Sequence, residues 1–250
     1  MGRPAGRGRA MTENAALIVL SRQMAIRRQM DVIANNIANM NTTSFKTQRV
    51  LFEEYMMEAE DGGKMAYVRD FGSVRDTEQG ELRSTLNPLD LAVSGEGYFR
   101  VETQEGERYT RNGHFRTDPE GYLVTGEGHK LLDDRNRAIK LNPADPKFDV
   151  SRDGTVSNSE GAIGRLAVVT FDNEQKMTPV GGGLYKTDEE PIEVEEITVV
   201  QGMIEGSNVE PIMEMTRMIQ ASRAYESTRS MVKKDDDVRQ QAISRLGRVE

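Results

Sequence analysis

The chain has 250 residues and a mass of 28.0 kDa, a length that suits one or two domains with a sizeable core. It contains no Cys, which excludes disulfides, thiolate metal sites and cysteine nucleophiles, and its 2 His cannot build a histidine-rich metal centre. A formal net charge of −8 opposes a duplex-binding surface over the whole molecule, because neutralising phosphates needs clustered Lys and Arg.

The first ten residues, MGRPAGRGRA, carry Arg3, Arg7 and Arg9 among Gly, Pro and Ala. That composition offers nothing to a core, so residues 1–10 are expected to form a disordered basic extension, with Met11 opening the patterned sequence. The longest apolar stretch, Ala15 to Leu20, is stopped by Ser21 and Arg22, far short of the roughly 18 apolar residues of a membrane span. It is also too short, and lacks a following small-residue cleavage site, for a secretory signal.

From Thr12 onward the periodicity predicts a long helix. Ala16, Val19, Ile26, Met30, Ile33, Ile37 and Met40 fall on helical spacing, with Gln23 the one polar residue on that seam, while Arg22, Arg27, Arg28 and Asp31 occupy the other face. Such a helix needs a partner for its apolar stripe. Asn35, Asn36, Asn39 and Asn41 crowd its far end. Asn side chains bond to local backbone and tolerate left-handed geometry, so turn chemistry is the leading reading, with contacts between subunits as the alternative.

Between about Leu86 and Val200 the pattern changes to short β-rich runs cut by turn signals: GYFRVET, ERYTRNGHF, YLVT, FDVS, TVS and RLAVVTF, separated by QEG, DPEG, RDG and DNEQ. After the breaker-rich QGMIEGSNVEP a second long amphipathic helix is predicted, with Ser207 or Asn208 as its cap and Pro211 in its first turn. Its stripe reads Ile212, Met215, Met218, Ile219, Ser222, Tyr225 and Val232. The expected fold class is therefore α+β, with a central all-β module inserted between terminal helices that form a coiled-coil-like layer. The expected segments are 11–85, 86–200 and 201–250. Each stripe is narrow, so a two-helix pair would leave apolar surface open to neighbouring subunits. The terminal helices are accordingly expected to be weakly helical in an isolated chain.

Four ordered segments now carry a resemblance. SRQMAIRRQMDVIANNIANMNTTSFK (21–46), LDLAVSGEGYFRV (89–101), YTRNGHFRTDPEGYLVTGEGHKLL (109–132) and GSNVEPIMEMTRMIQASRAYE (206–226) resemble segments of the flagellar axial proteins, which build the rod, hook and hook junctions of the bacterial flagellum. The phrase LSRQMAIRRQMDVIANNIAN and the modest length resemble the proximal-rod members more than the distal-rod or larger hook members. The resemblance implies a non-catalytic subunit exported through the flagellar type III apparatus without a cleaved signal. It further implies polymerisation through terminal helices in the periplasmic rod, with the β module outward, torque transmission, and contacts with proximal-rod and distal-rod proteins. No cofactor and no metal are implied. Ala16, Val19, Ile26, Met30, Ile33, Asn35, Asn36, Ile37, Asn39, Ile212, Met215, Ile219, Ser222 and Tyr225 are the candidate assembly residues. Ser44 departs from the family pattern, which usually has Gly after the two threonines; if the site needs positive φ, Ser44 carries strain of about 1 kcal/mol.

The competing class is a periplasmic glycan-binding or glycan-hydrolysing β module. His114 and His129, with Asp118, Asp133 and Asp134 nearby in sequence, supply suitable residue types. Both histidines follow glycine-rich turn signals, however, the two GEG triplets are too short to cradle phosphate, and the chain has no Trp for a sugar platform.

Overall fold

The computed structural model describes residues 7–58, 64–142, 148–194 and 196–246. Helix α1 spans Arg7–Ala38 and helix α2 spans Pro211–Leu246. Helix α1 thus begins inside the extension expected to be unstructured. Arg and Ala are good helix formers, and once a helix is nucleated each added residue gains a backbone hydrogen bond. The first six residues lie outside the described residues. Pro211 opens α2 as expected, since its missing N–H and fixed φ suit the first helical position. The C=O of Glu210 takes the first intrahelical bond, from the Glu214 N–H at 3.0 Å.

The chain divides into two compact units. One holds α1, α2 and a two-stranded sheet of β1 (Gln48–Glu58) and most of β2 (Lys64–Arg75). From sequence that pair is legible only as an extended segment, because QRVLFEEYMME alternates poorly.

The other unit comprises Asn39–Thr47 and Arg75–Val209. It is larger than the expected 86–200, since the segments flanking both helices fold into it. Strands β3 (Leu82–Ser84) and β4 (Leu91–Val93) lead to β5 (Tyr98–Thr103) and β6 (Gly106–Thr110). The short strands β7 (Arg116–Thr117), β8 (Leu123–Val124), β9 (Lys130–Leu131), β10 (Asp149–Val150), β11 (Thr155–Asn158) and β12 (Gly161–Arg165) follow. The unit ends with β13 (Val168–Thr170), β14 (Thr178–Gly181), β15 (Leu184–Lys186), β16 (Ile192–Glu193), β17 (Val199–Gln201) and β18 (Met203–Glu205). The main sheet runs β14-β15-β6-β5-β9-β8-β7, with β13 also pairing to β5 and β16 to β13. Strands β10, β11 and β12 form a second sheet, while β17 pairs β4 and β18 pairs β3.

Strand β5 organises the core by its two-residue period. Phe99 and Val101 enter the main apolar cluster with Phe115, Leu123, Leu131 and Leu166, where the rings of Phe99 and Phe115 meet edge to face at 5.4 Å. Tyr98 belongs to a second cluster with Tyr109, Phe171 and Met177. Strands β5, β6, β8, β10, β11 and β13 coincide with the runs read from sequence, each a short β-rich stretch bounded by turn residues, whereas the remaining strands of the unit fall outside those runs.

Candidate assembly surface

Within the first unit, the helices pack through a seam of Ile26, Ile33 and Ala221, flanked by Met30, Ile37, Met218, Ala224 and Tyr225. They run antiparallel. Buried Asn36, near the end of α1, donates through Nδ2 to Glu214 Oε2 at 3.2 Å in the first turn of α2, and Arg217 donates to the same carboxylate. An acidic side chain suits that position against the helix dipole. From the expected α1 stripe the seam takes Ile26, Met30, Ile33 and Ile37 but not Val19, while Met40 lies past the helix, and from the expected α2 stripe it takes Met218 and Tyr225.

On α2 the register differs. Glu214, Ala221 and Thr228 are buried, and together with Met218 and Tyr225 they follow alternating steps of four and three residues. The predicted stripe instead emphasises Ile212, Met215 and Ile219, which are 79%, 48% and 53% exposed. Ser222 is half-buried. The sequence signal for the observed seam is faint, because two of its members are polar and one is Ala, and small residues register weakly in any hydropathy pattern. Helix α2 therefore carries a satisfied seam and a separate, uncovered apolar stripe. Helix α1 likewise exposes Leu20 and Met24, with Val19 half-buried. Ala16 lies in α1, and its side chain is outside the described residues.

The asparagines split by role. Asn36 clips β1 to α1: its Nδ2 also donates to Gln48 O at 2.9 Å and its Oδ1 accepts the Gln48 N–H at 3.0 Å. Asn39 lies past the helix and accepts the Thr42 hydroxyl on Oδ1 at 3.1 Å. Turn and clip chemistry thus accounts for these two, whereas Asn35 stays exposed on α1.

In the β unit, residues that follow α1 meet residues that precede α2 in a buried polar clasp. Glu205, 1% exposed, accepts Lys46 Nζ at 2.7 Å, Arg111 Nε at 2.8 Å and the Gly80 N–H at 3.0 Å. Lys46 also donates to the carbonyls of Thr77 and Glu78. Burial pushes the Lys46 ammonium below its usual pKa, with Glu205 opposing the shift. Ser44 indeed has positive φ, at 57°. Its N–H donates to Glu205 O at 2.9 Å and its hydroxyl to Arg111 O at 2.7 Å, which offsets the strain of a non-glycine residue there. Asn208, expected to cap α2, is committed elsewhere. Its Oδ1 accepts the Thr47 N–H and hydroxyl, and its Nδ2 donates to Asp76 O and Glu78 O.

Three of the residues that suggested hydrolysis, His114, Asp118 and Asp133, hold local structure. His114 Nδ1 lies 2.7 Å from Asp90 Oδ1, and its backbone pairs with Asp90 in an isolated bridge. Asp118 accepts the N–H groups of Glu120 and Tyr122. Asp133 accepts the N–H groups of Arg135 and Arg137 and the Arg137 guanidinium. Burial alone would raise the Asp133 pKa, but those donors outweigh it and hold the carboxyl below the usual range.

With this arrangement in view, comparison with known proteins is decisive. A family model described as "Flagella basal body rod protein" matches residues 17–46, one described as "Flagellar hook protein FlgE/F/G D1 domain" matches 92–158, and one described as "Flagellar basal body rod FlgEFG protein C-terminal" matches 200–245. The flagellar basal-body rod protein FlgF of Caulobacter vibrioides is 40% identical over 243 residues, covering 95% of this chain and 99% of that protein. The chain belongs to the flagellar basal-body rod protein family. FlgF of Mesorhizobium japonicum is 31% identical, over 94% of this chain and 98% of that protein. FlgG of Bacillus subtilis is 32% identical, over 86% of this chain and 92% of that protein. FlgF relatives are thus favoured over FlgG. Rod proteins are structural and not enzymatic, so the chain is a structural subunit of the flagellar basal-body rod that serves motility. It resides in the flagellar basal body and associates with other rod and basal-body proteins.

Proposed function

We propose that this rod protein occupies the proximal rod and polymerises through α1 and α2, which join a coiled-coil-like layer shared with sister subunits and with a distal-rod neighbour. The uncovered stripe of Ile212, Met215 and Ile219, beside a seam already satisfied within the chain, is the observation that carries this reading. Apolar side chains in a row on a helix gain about 1.5–3 kcal/mol each when buried, and an antiparallel pair leaves this row without cover. On α1, Leu20 and Met24 are exposed apolar side chains of the same kind, with half-buried Val19 beside them. Met suits a surface that packs against non-identical neighbours, because its thioether adapts to irregular gaps. In this reading the subunit reaches the periplasm through the flagellar type III export apparatus, and its packed helices transmit torque along the rod.

The test is the double substitution Ile212→Lys, Ile219→Lys. Both side chains lie outside the intrachain seam, so the purified variant should keep the helical content and thermal stability of the parent. Swimming in soft agar and incorporation into isolated basal bodies should both be lost. A double variant that swims and assembles like the parent would remove the proposal.

A further inference from the structure

Three segments carry the chain in and out of the β unit: 39–47, the one that starts at Arg75 and the one that ends at Val209. A single polar network staples all three. Asn208 Oδ1 accepts the Thr47 N–H at 2.7 Å and the Thr47 hydroxyl at 2.9 Å, and Asn208 Nδ2 donates to Asp76 O and Glu78 O at 3.0 Å. Lys46 Nζ donates to Glu78 O and to Glu205 Oε1, each at 2.7 Å. The backbone repeats these ties, with the Asp76 N–H on Thr47 O at 2.8 Å and the Asn208 N–H on Phe45 O at 3.2 Å.

The topology gives this network a use. Strands β3 and β18 pair antiparallel, Leu82 opposite Glu205 and Ser84 opposite Met203, so the chain enters β3 and leaves β18 at the same end. Tension that draws those two ends apart peels such a pair open one hydrogen bond at a time, which is its weakest loading. Glu205 is the last rung at that end. Just beyond it the backbones stay in contact: the Gly206 N–H donates to Glu81 O at 2.8 Å, and a Cβ on Gly80 would lie 2.2 Å from Gly206 O. The Glu205 carboxylate holds the Gly80 N–H, Lys46 and Arg111 at once, and Arg111 follows directly on β6 of the main sheet. Opening this mouth therefore breaks bonds to several segments together.

Buried charges are not needed here for equilibrium stability, since well-packed apolar residues of the same volume commonly serve as well or better. Charge-assisted hydrogen bonds are short and about twice as strong as neutral ones, which suits them to resist a small separation under load. We propose that Glu205, Lys46 and Arg111 form a mechanical lock at the mouth of the β3–β18 pair, so that load drawn along the chain into the β unit meets bonds that break together instead of singly. The inference rests on the torque-transmitting reading above and deepens it, by naming the side chains at which load enters the β unit. It requires neither the apolar stripe of α2 nor any particular neighbour.

The experiment is constant-force spectroscopy on the purified full-length chain. The chain has no Cys, so pairs of cysteine handles are unique. Glu78→Cys with Glu210→Cys loads the mouth, and Glu120→Cys with Asp188→Cys loads the main sheet across its width; all four side chains are exposed. Lys46→Met removes the ammonium and leaves Glu205 balanced by Arg111, while Glu205→Gln keeps the shape and an acceptor. Held at 78 and 210, the Lys46→Met chain should rupture roughly tenfold faster than the parent, about what one charge-assisted hydrogen bond is worth. Held at 120 and 188, it should rupture at the parental rate. Glu205→Gln should show the same selectivity. Equal acceleration at both handle pairs would mark a general loss of stability, and no acceleration at 78 and 210 would mark an idle cluster; either result overturns the proposal, as does failure of both variants to fold. In the flagellated host, Lys46→Met should lose swimming speed more steeply than the parent as the medium is thickened with polymer. Selective rupture of the purified chain beside a parental response to viscosity would support the lock while counting against torque transmission by this subunit.

Discussion

The left-handed φ of 57° at Ser44 costs about 1–2 kcal/mol relative to glycine, but the Ser44 hydroxyl satisfies the Arg111 carbonyl inside the clasp. Ser44→Ala keeps the strain and loses the bond, so it should destabilise by about 1–2 kcal/mol. Ser44→Gly loses the bond and the strain together and should fall within about 1 kcal/mol of the parent. Urea midpoints at unchanged m separate the two, and equal losses would show that the left-handed backbone at this position carries no strain. Asp133 permits a test by pH. Its folded pKa lies below the usual 3.8, so its contribution is present above that value and is lost as pH falls through the lower, folded pKa. The stability gap between the parent and Asp133→Asn should therefore hold constant from pH 7 to about 4 and narrow only below 3.8, measured by denaturant titration at each pH.

At the scale of elements, the helices and the strands differ in what supports them. Strand β5 exchanges hydrogen bonds with β6, β9 and β13 and buries Phe99 and Val101 completely. The 32-residue α1 and 36-residue α2 share a seam in which Ile26, Ile33 and Ala221 are the buried apolar members. Two buried Ile contribute about 3–6 kcal/mol, thin support for helices of that length, since helical stability in proteins comes mostly from packing. Hydrogen exchange on the dilute chain should find the amides of 20–38 and 212–230 exchanging well before those of β5 and β6. Ile33→Ala should accelerate the helical set while leaving β5 and β6 unchanged. Equal protection of both sets would mean that the helices need no neighbours.

On the whole molecule, the order of helix, β module and helix was legible from the periodicity alone, since apolar spacing near 3.6 and short β-rich runs between turn residues mark their elements locally. The α1 seam and the Pro211 helix start were legible for the same reason, and the ordered segments sufficed to point to the axial protein family. Which stripe of α2 meets α1 was not. Ile212, Met215 and Ile219 outweigh Ala221 and Glu214 on any hydropathy scale, yet the small and polar residues face the partner helix. Close approach favours Ala, and Asn36 can satisfy Glu214 only once both helices are in place. The clasp was equally hidden. Lys46 and Glu205 stand 159 positions apart and Arg111 and Glu205 stand 94 apart, and nothing local in the chain marks such residues for burial. Local pattern therefore determined the elements and the family. The tertiary structure alone decided which charges are buried and which apolar residues remain uncovered, because both depend on long-range partners that no local pattern encodes.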